Sequence, residues 1–234
     1  MPFTDPGMLA FVKGYATAED RGPHKFSAEE LIFKCVDINN VRLYLVFFPA
    51  AKTPGIVGAW QDAGTGISTR LAEELLKHID TLAEVNCTVE SPPPTQYLPE
   101  GPAHTKLRER ISSLLHRASI DPEKVKITPD NVFLYVSGMA AIYKMHQLLV
   151  EYRPGTAVLL GIVFHNTIHH LAEIAAPTGY KHFGPVDGAG IDAFESWLEA
   201  ETKAGRTVSY VFVEFPSNPL LASADLHRLR KLVG

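Results

Sequence analysis

Three short stretches of this chain combine residue types and spacings that could do chemistry. In VSGMAAIYKMHQLL an apolar run ends at Val136, Ser137 and Gly138 make a turn, and a helical pattern starts at Met139. Unpaired amides at a helix start attract an anion, and the helix dipole reinforces them. Gly138 lets the backbone approach a phosphate closely, and Ser137 can add a hydroxyl. The same residues also make an ordinary helix cap. Neither a Walker loop nor GxGxxG is present, so nucleotide binding is not favoured. In VFHNTIHHL, Phe164 ends a second apolar run, where it either stacks on a flat ligand or packs into the core. His165 and His169 are four apart, which suits zinc on a helix. No acidic or Cys ligand accompanies them and HExxH is absent, so packed or exposed histidines are expected instead of a metal site. In VFVEFPSNPLL, Glu214 closes a third run, and Pro216 and Pro219 lock the turn that holds Asn218. The Asn218 amide could bond a polar ligand or stabilise its own turn.

The elements that must position these residues alternate. NVFLYV (131–136), TAVLLGIVF and TVSYVFVEF read as strands, and SGMAAIYKMHQLLVEY, NTIHHLAEIAA, IDAFESWLEAETKAG and SADLHRLRKLVG read as helices. Apolar strands separated by helices predict an α/β fold with a mainly parallel sheet covered on both faces. Ligands of such sheets sit beyond the carboxyl ends of the strands, which points at 136–139, 164–167 and 214–218. Upstream, LIFKCVDI and VRLYLVFF are split by Asn39-Asn40, a hairpin signal. GTGISTR (64–70) reads as a helix entry capped by Ser68 or Thr69, followed by a stripe of Leu71, Leu75 and Ile79. HTKLRERISSLLHRA is helical, with Leu107, Ile111, Leu114 and Leu115 on one side. ESPPPT (90–95) is the most linker-like stretch, so two segments are expected, 1–94 and 95–234.

Composition narrows the class. The chain has 234 residues, 46% hydrophobic and 21% charged, as in an ordinary globular protein. A net charge of −4 with no long basic run disfavours nucleic acid. No apolar stretch approaches the roughly 20 residues that span a bilayer. MPFTDPGMLAF does not read as a signal peptide. Cys35 and Cys87 lie far apart in sequence and form no metal or redox motif, so they read as reduced thiols of a cytoplasmic protein.

Together the turn-helix at 136–149, VFHNTIHHL and above all VFVEFPSNPLLASADLHRLRKL resemble the Cys/Met-metabolism family of pyridoxal-phosphate (PLP) enzymes, in particular its fungal cystathionine γ-synthase branch. WQDAGTGISTRLAEELL and YLPEGPAHTKLRERI are similar to the extended front part of those enzymes. The resemblance implies a fold-type-I, aspartate-aminotransferase-like large domain over 95–234, stopping short of its full extent, behind an α+β extension at 1–94. It implies PLP as cofactor, small amino-acid substrates, and a homodimer or homotetramer. It assigns the phosphate to the amides of Gly138 and Met139 with Ser137 before them. It places Phe164 where the family usually has a ring-stacking Tyr; a Phe stacks but exchanges no proton. Asn218 matches the Asn near the cofactor's phenolic oxygen, and Glu214 the acidic start of that motif. Tyr97 in TQYLPEG matches the Tyr of a Tyr-x-Arg pair whose Arg is missing here. The Schiff-base lysine and the Asp that pairs with the pyridine nitrogen are expected beyond Gly234, so no catalytic residue is assigned within the chain. The implied reaction joins an activated homoserine ester to cysteine, giving cystathionine for methionine biosynthesis. The rival reading is a non-catalytic, degenerate homologue that binds a partner protein or an anion.

Overall fold

The computed structural model describes residues 1–96, 100–124, 126–174 and 179–233. Contacts divide the chain into two compact units, one of residues 1–60 and 64–141, the other of 61–63 and 142–234.

The first unit is built on an antiparallel sheet of order β1-β3-β2-β4, with β1 at Pro2–Phe3, β2 at Ile32–Ile38, β3 at Val41–Phe47 and β4 at Ala83–Val85. β2 and β3 pair along their whole length, from Ile32 opposite Phe47 to Ile38 opposite Val41. Asn39 and Asn40 make the turn with φ of 48° and 63°. Asn reaches this left-handed region more readily than other side chains, because its short amide bonds locally. Helix α1 (Gly7–Thr17) packs on β3 and buries Met8, Leu9, Val12 and Ala16. Helix α2 (Val57–Ala63) ends on Gly64 at φ 61°. Helix α3 (Thr69–Leu76) starts at the Ser68 cap, whose hydroxyl accepts from the Leu71 amide at 3.1 Å. Its Leu75 joins Val36, Ile38, Val41 and Leu43 in a core to which Leu71 adds, while Ile79 stays exposed. The proline-rich stretch is tied to the sheet. The Tyr44 hydroxyl donates to the Pro93 carbonyl at 2.6 Å, and Arg42 donates to that of Pro94 at 3.2 Å.

Helix α4 (Pro102–Ala118) follows, and beyond it the strand expected at 131–136 is not formed. The backbone there is otherwise engaged. The Val132 amide donates to Pro129 and its carbonyl accepts from Arg108 Nε at 3.0 Å. Phe133 and Val136 are exposed, so no burial offsets the cost of ordering a strand.

The division between units falls within helix α5 (Gly138–Tyr152). The second unit holds a parallel sheet of order β6-β5-β7, with β5 at Thr156–Leu160, β6 at Tyr180–Phe183 and β7 at Val208–Val213. Central β5 is buried on both sides. Ala157 and Leu159 pack with Leu171 of helix α6 (His165–Ile174). Val158 and Leu160 pack with Phe194 and Trp197 of helix α7 (Gly188–Lys203) and Leu229 of helix α8 (Leu226–Val233). The alternation of neighbours along one strand is the two-residue period of a strand covered on both faces. The described residues are thus α/β, with an antiparallel sheet that contains the expected hairpin and a parallel sheet in the later segment. β6 was not expected, because YKHF is short and carries two polar residues.

Candidate functional site

In the first unit, Ser137 closes the start of α5. Its hydroxyl donates to the Gly64 carbonyl at 2.9 Å and accepts from the Ala140 amide at 3.0 Å. Its proton is thereby committed within the fold. The Gly138 and Met139 amides have no hydrogen-bond partner among the described residues. Ser137 and Gly138 are exposed, Met139 is half-buried, and a Cβ added at Gly138 would meet nothing within 4 Å. Two free N–H groups at the start of a 15-residue helix therefore face open space, an arrangement that suits an anion.

In the second unit, the carboxyl ends of β5 and β7 are joined through a side chain. Glu214, one residue past β7, accepts from the Phe164 amide at 2.7 Å. This fixes the start of α6 against the end of β7. The Phe164 ring is 41% exposed, which answers the alternative left open by its sequence position: it is not core. Asn218 sits in a turn closed by Leu221 N–H donating to Ser217 at 2.8 Å and Ser217 N–H donating to Ala222 at 2.9 Å. Both Phe215-Pro216 and Asn218-Pro219 are cis. The Asn218 amide is exposed and makes no hydrogen bond among the described residues, so it does not stabilise its own turn. Its neighbour Ser217, which the sequence did not single out, is buried with an unpartnered hydroxyl. Phe164, Glu214 and Asn218 thus share the rim of one sheet, and Ser137, Gly138 and Met139 lie in the other unit. Tyr97 lies outside the described residues.

The histidines of α6 separate by helical phase. The His165 and His169 rings are exposed, 6.2 Å apart between centroids. Among the described residues no group of three or more His, Cys, Asp or Glu converges on one point. His170 is fully buried, and neither ring nitrogen has a partner. It packs edge-on to Tyr143 and to His146, and His146 Nδ1 lies 2.7 Å from the Tyr210 hydroxyl. Burial, with His146 nearby, pushes His170 down to about 3, and burial raises Tyr210 above its ordinary value. Periodicity shows which of three clustered histidines is inside only once the helix phase is known, since Thr167, His170 and Leu171 share a face.

Among the described residues no helix is long and apolar enough to cross a membrane. No family model matches the chain, and no solved structure does. Curated relatives do. It is similar to an alanine racemase of Aspergillus violaceofuscus, 34% identical over 202 residues, which cover 81% of this chain and 34% of the relative. It is similar to a cystathionine γ-synthase-like enzyme of Amanita muscaria, 30% identical over 243 residues, covering 82% of this chain and 38% of the relative. The cystathionine γ-synthase of Neurospora crassa is 29% identical over 153 residues, covering 56% of this chain and 24% of its own length. The chain spans about a third of the length of the first two relatives.

Proposed function

Because this chain is a relative of the fungal cystathionine γ-synthase-like enzymes, we propose that it forms the front portion of a PLP-dependent enzyme of amino-acid metabolism with a fold-type-I large domain. The reaction proposed is the joining of an activated homoserine ester to cysteine, and a cytoplasmic homo-oligomer is the proposed assembly. One observation carries the reading: Glu214 pins the Phe164 amide, while the exposed Phe164 ring and the unpartnered Asn218 amide stand on the same sheet rim. That rim by itself suits a flat, polar-edged ring, and the free Gly138 and Met139 amides by themselves suit a phosphate.

When bound, PLP supplies an electron sink for charge developing beside the substrate amino group. The residues of this chain would bind and orient. Gly138 and Met139 would hold the phosphate through their amides, aided by the dipole of α5. Ser137 holds that helix start in shape, since its own proton goes to Gly64. Phe164 would pack on the ring and, lacking a hydroxyl, moves no proton. Asn218 would hydrogen-bond the ring edge, and Glu214 is a positioning residue that acts through the Phe164 backbone. The chain spans about a third of these relatives' length, so activity is proposed for the whole enzyme.

The racemase relative supports a second reaction, racemisation of a small amino acid, on the same residues. One experiment tests the cofactor and sorts the reactions. The native polypeptide is immunopurified from its own cells, its mass and acid-released PLP are measured, and cystathionine formation and alanine racemisation are assayed. PLP near one equivalent supports the reading, and the faster reaction selects the function. Absence of PLP sinks it, and the non-catalytic homologue that binds a partner or an anion takes its place.

A further inference from the structure

The antiparallel sheet brings together two thiols that are far apart in sequence. β4 is the edge strand and pairs with β2 over three residues, with Cys35 opposite Val85. Cys87 follows Val85 by two, just past the paired residues, at a position diagonal to Cys35. Both residues border one open cleft of about 450 Å³, with Phe33, Lys34, Glu84, Val85 and Asn86. The Cys87 thiol has the Thr88 carbonyl 3.7 Å away as its acceptor. Their spacing in the sequence, which forms no redox motif, gives no sign of this shared cleft. Cys35 is fully buried and Cys87 half-buried. Cys87 also lies beyond the last paired residue of a three-residue edge strand, where the chain can adjust to bridging geometry.

We infer that Cys35 and Cys87 are a dithiol site that closes to an intramolecular disulfide when it meets a small-molecule disulfide oxidant. The Cys87 thiolate attacks one sulfur of the reagent, whose S–S bond breaks, and one small thiolate leaves. A mixed disulfide then sits on Cys87. Cys35 gives up its proton and attacks the Cys87 sulfur, expelling the second small thiolate. The two protein thiols lose two electrons, the reagent gains them, and both protons end on the released thiols. The order follows from access and from acidity. Cys87 is the reachable sulfur, whereas burial pushes the Cys35 thiol up to about 11. Burial raises the Cys87 thiol too, so closure is slow at neutral pH and quickens as pH rises. The bond would tie the edge strand to the sheet interior. It is independent of the PLP reading.

The test uses the intact chain and oxidised glutathione at pH 8, with free-thiol titration and intact mass. The expected result is loss of both thiols, a mass lower by two hydrogens, and a non-reduced peptide joining the segments around residues 35 and 87. Cys35→Ser is expected to stop at a glutathione adduct on Cys87, and Cys87→Ser to stay largely unmodified. Closure of the native wild type should be faster than in denaturant by on the order of tenfold or more, since the fold brings the sulfurs together. Equal rates overturn the inference, as do retained thiols, a lasting glutathione adduct on the wild type, or disulfides formed only between chains. Phenylarsine oxide gives a second measurement. One equivalent should block both thiols of the native chain, and failure to do so counts against the site.

Discussion

The antiparallel sheet is centred on a hairpin of sequence neighbours, to which β1 and β4 add from farther along the chain, whereas every pairing of the parallel sheet joins distant residues. β2 and β3 are adjacent, joined by two residues, and paired over seven positions. β5 takes one partner from about twenty residues downstream and another from about fifty, and its stability comes from helices on both faces. Local pairing keeps working when one residue is lost. A central strand buried on both sides has no slack, because each side chain meets a packed layer. The difference also sorts chemistry. The thiol pair sits at the free edge of the antiparallel sheet, and the Phe164, Glu214 and Asn218 rim sits where the parallel strands end together.

The largest effect should come from breaking the parallel core. Leu159→Ala removes a fully buried side chain from the α6 face of β5. A loss of about 2–5 kcal/mol is expected from transfer and cavity terms. Denaturation followed by Trp197 fluorescence in a Trp60→Phe background, where it reports the second unit alone, should show the loss in full. Circular dichroism should show a remaining transition from the first unit. A single shared loss would mean that the two units unfold together.

Acid should separate the units next. His170 is neutral in the folded state with its value lowered to about 3, against about 6.5 unfolded. Its contribution is therefore constant above pH 6.5 and is lost as pH falls, because the unfolded chain takes up a proton that the folded chain refuses. Between pH 6.5 and 4 that is up to about 3 kcal/mol at 1.36 kcal/mol per unit. Urea titrations at pH 7, 5.5 and 4.5 check the slope. His170→Phe should flatten it, and an unchanged slope in that variant would show that other groups carry the acid sensitivity.

How much of this could be seen in the sequence follows the same divide. The hairpin at Asn39-Asn40, the Ser68 cap and the apolar β5 and β7 are local signals, and all formed. Features that depend on long-range partners were hidden. β6 exists because β5 offers its edge to YKHF, and 131–136 is not a strand because Arg108 and Pro129 bond the Val132 backbone groups. The Cys35 and Cys87 neighbourhood depends on β4 pairing with β2, a register that no local pattern announces. At the site, the exposure of Phe164 and the freedom of Asn218 were alternatives in the sequence and facts only in the fold. The bond from the Phe164 amide to Glu214, 50 residues away, had no signal at all.

Smaller changes in the first unit sharpen the contrast. Ser68→Ala removes the hydroxyl that accepts from Leu71 N–H and leaves that amide at the helix start without a side-chain partner. A loss of about 1 kcal/mol is expected, read as a lower midpoint for the first unit alone. A loss above about 2 kcal/mol would mean that α3 is undone together with the core it builds around Leu75.

The smallest expected effect has the opposite sign. Asn39 and Asn40 both lie in the left-handed region, the pattern of a two-residue turn whose favoured sequence is Asn-Gly. Asn40→Gly keeps the first residue and relieves the Cβ strain at φ 63°, while adding freedom to the unfolded chain. The two terms nearly cancel, and relief should win by a few tenths of a kcal/mol. Asn40→Val puts a branched side chain at the same angle and should cost about 1–2 kcal/mol. Thermal melts of both variants fix the sign. If Gly destabilises and Val does not, the turn differs from that geometry, and the register that sets Cys35 opposite Tyr44 loses its local anchor.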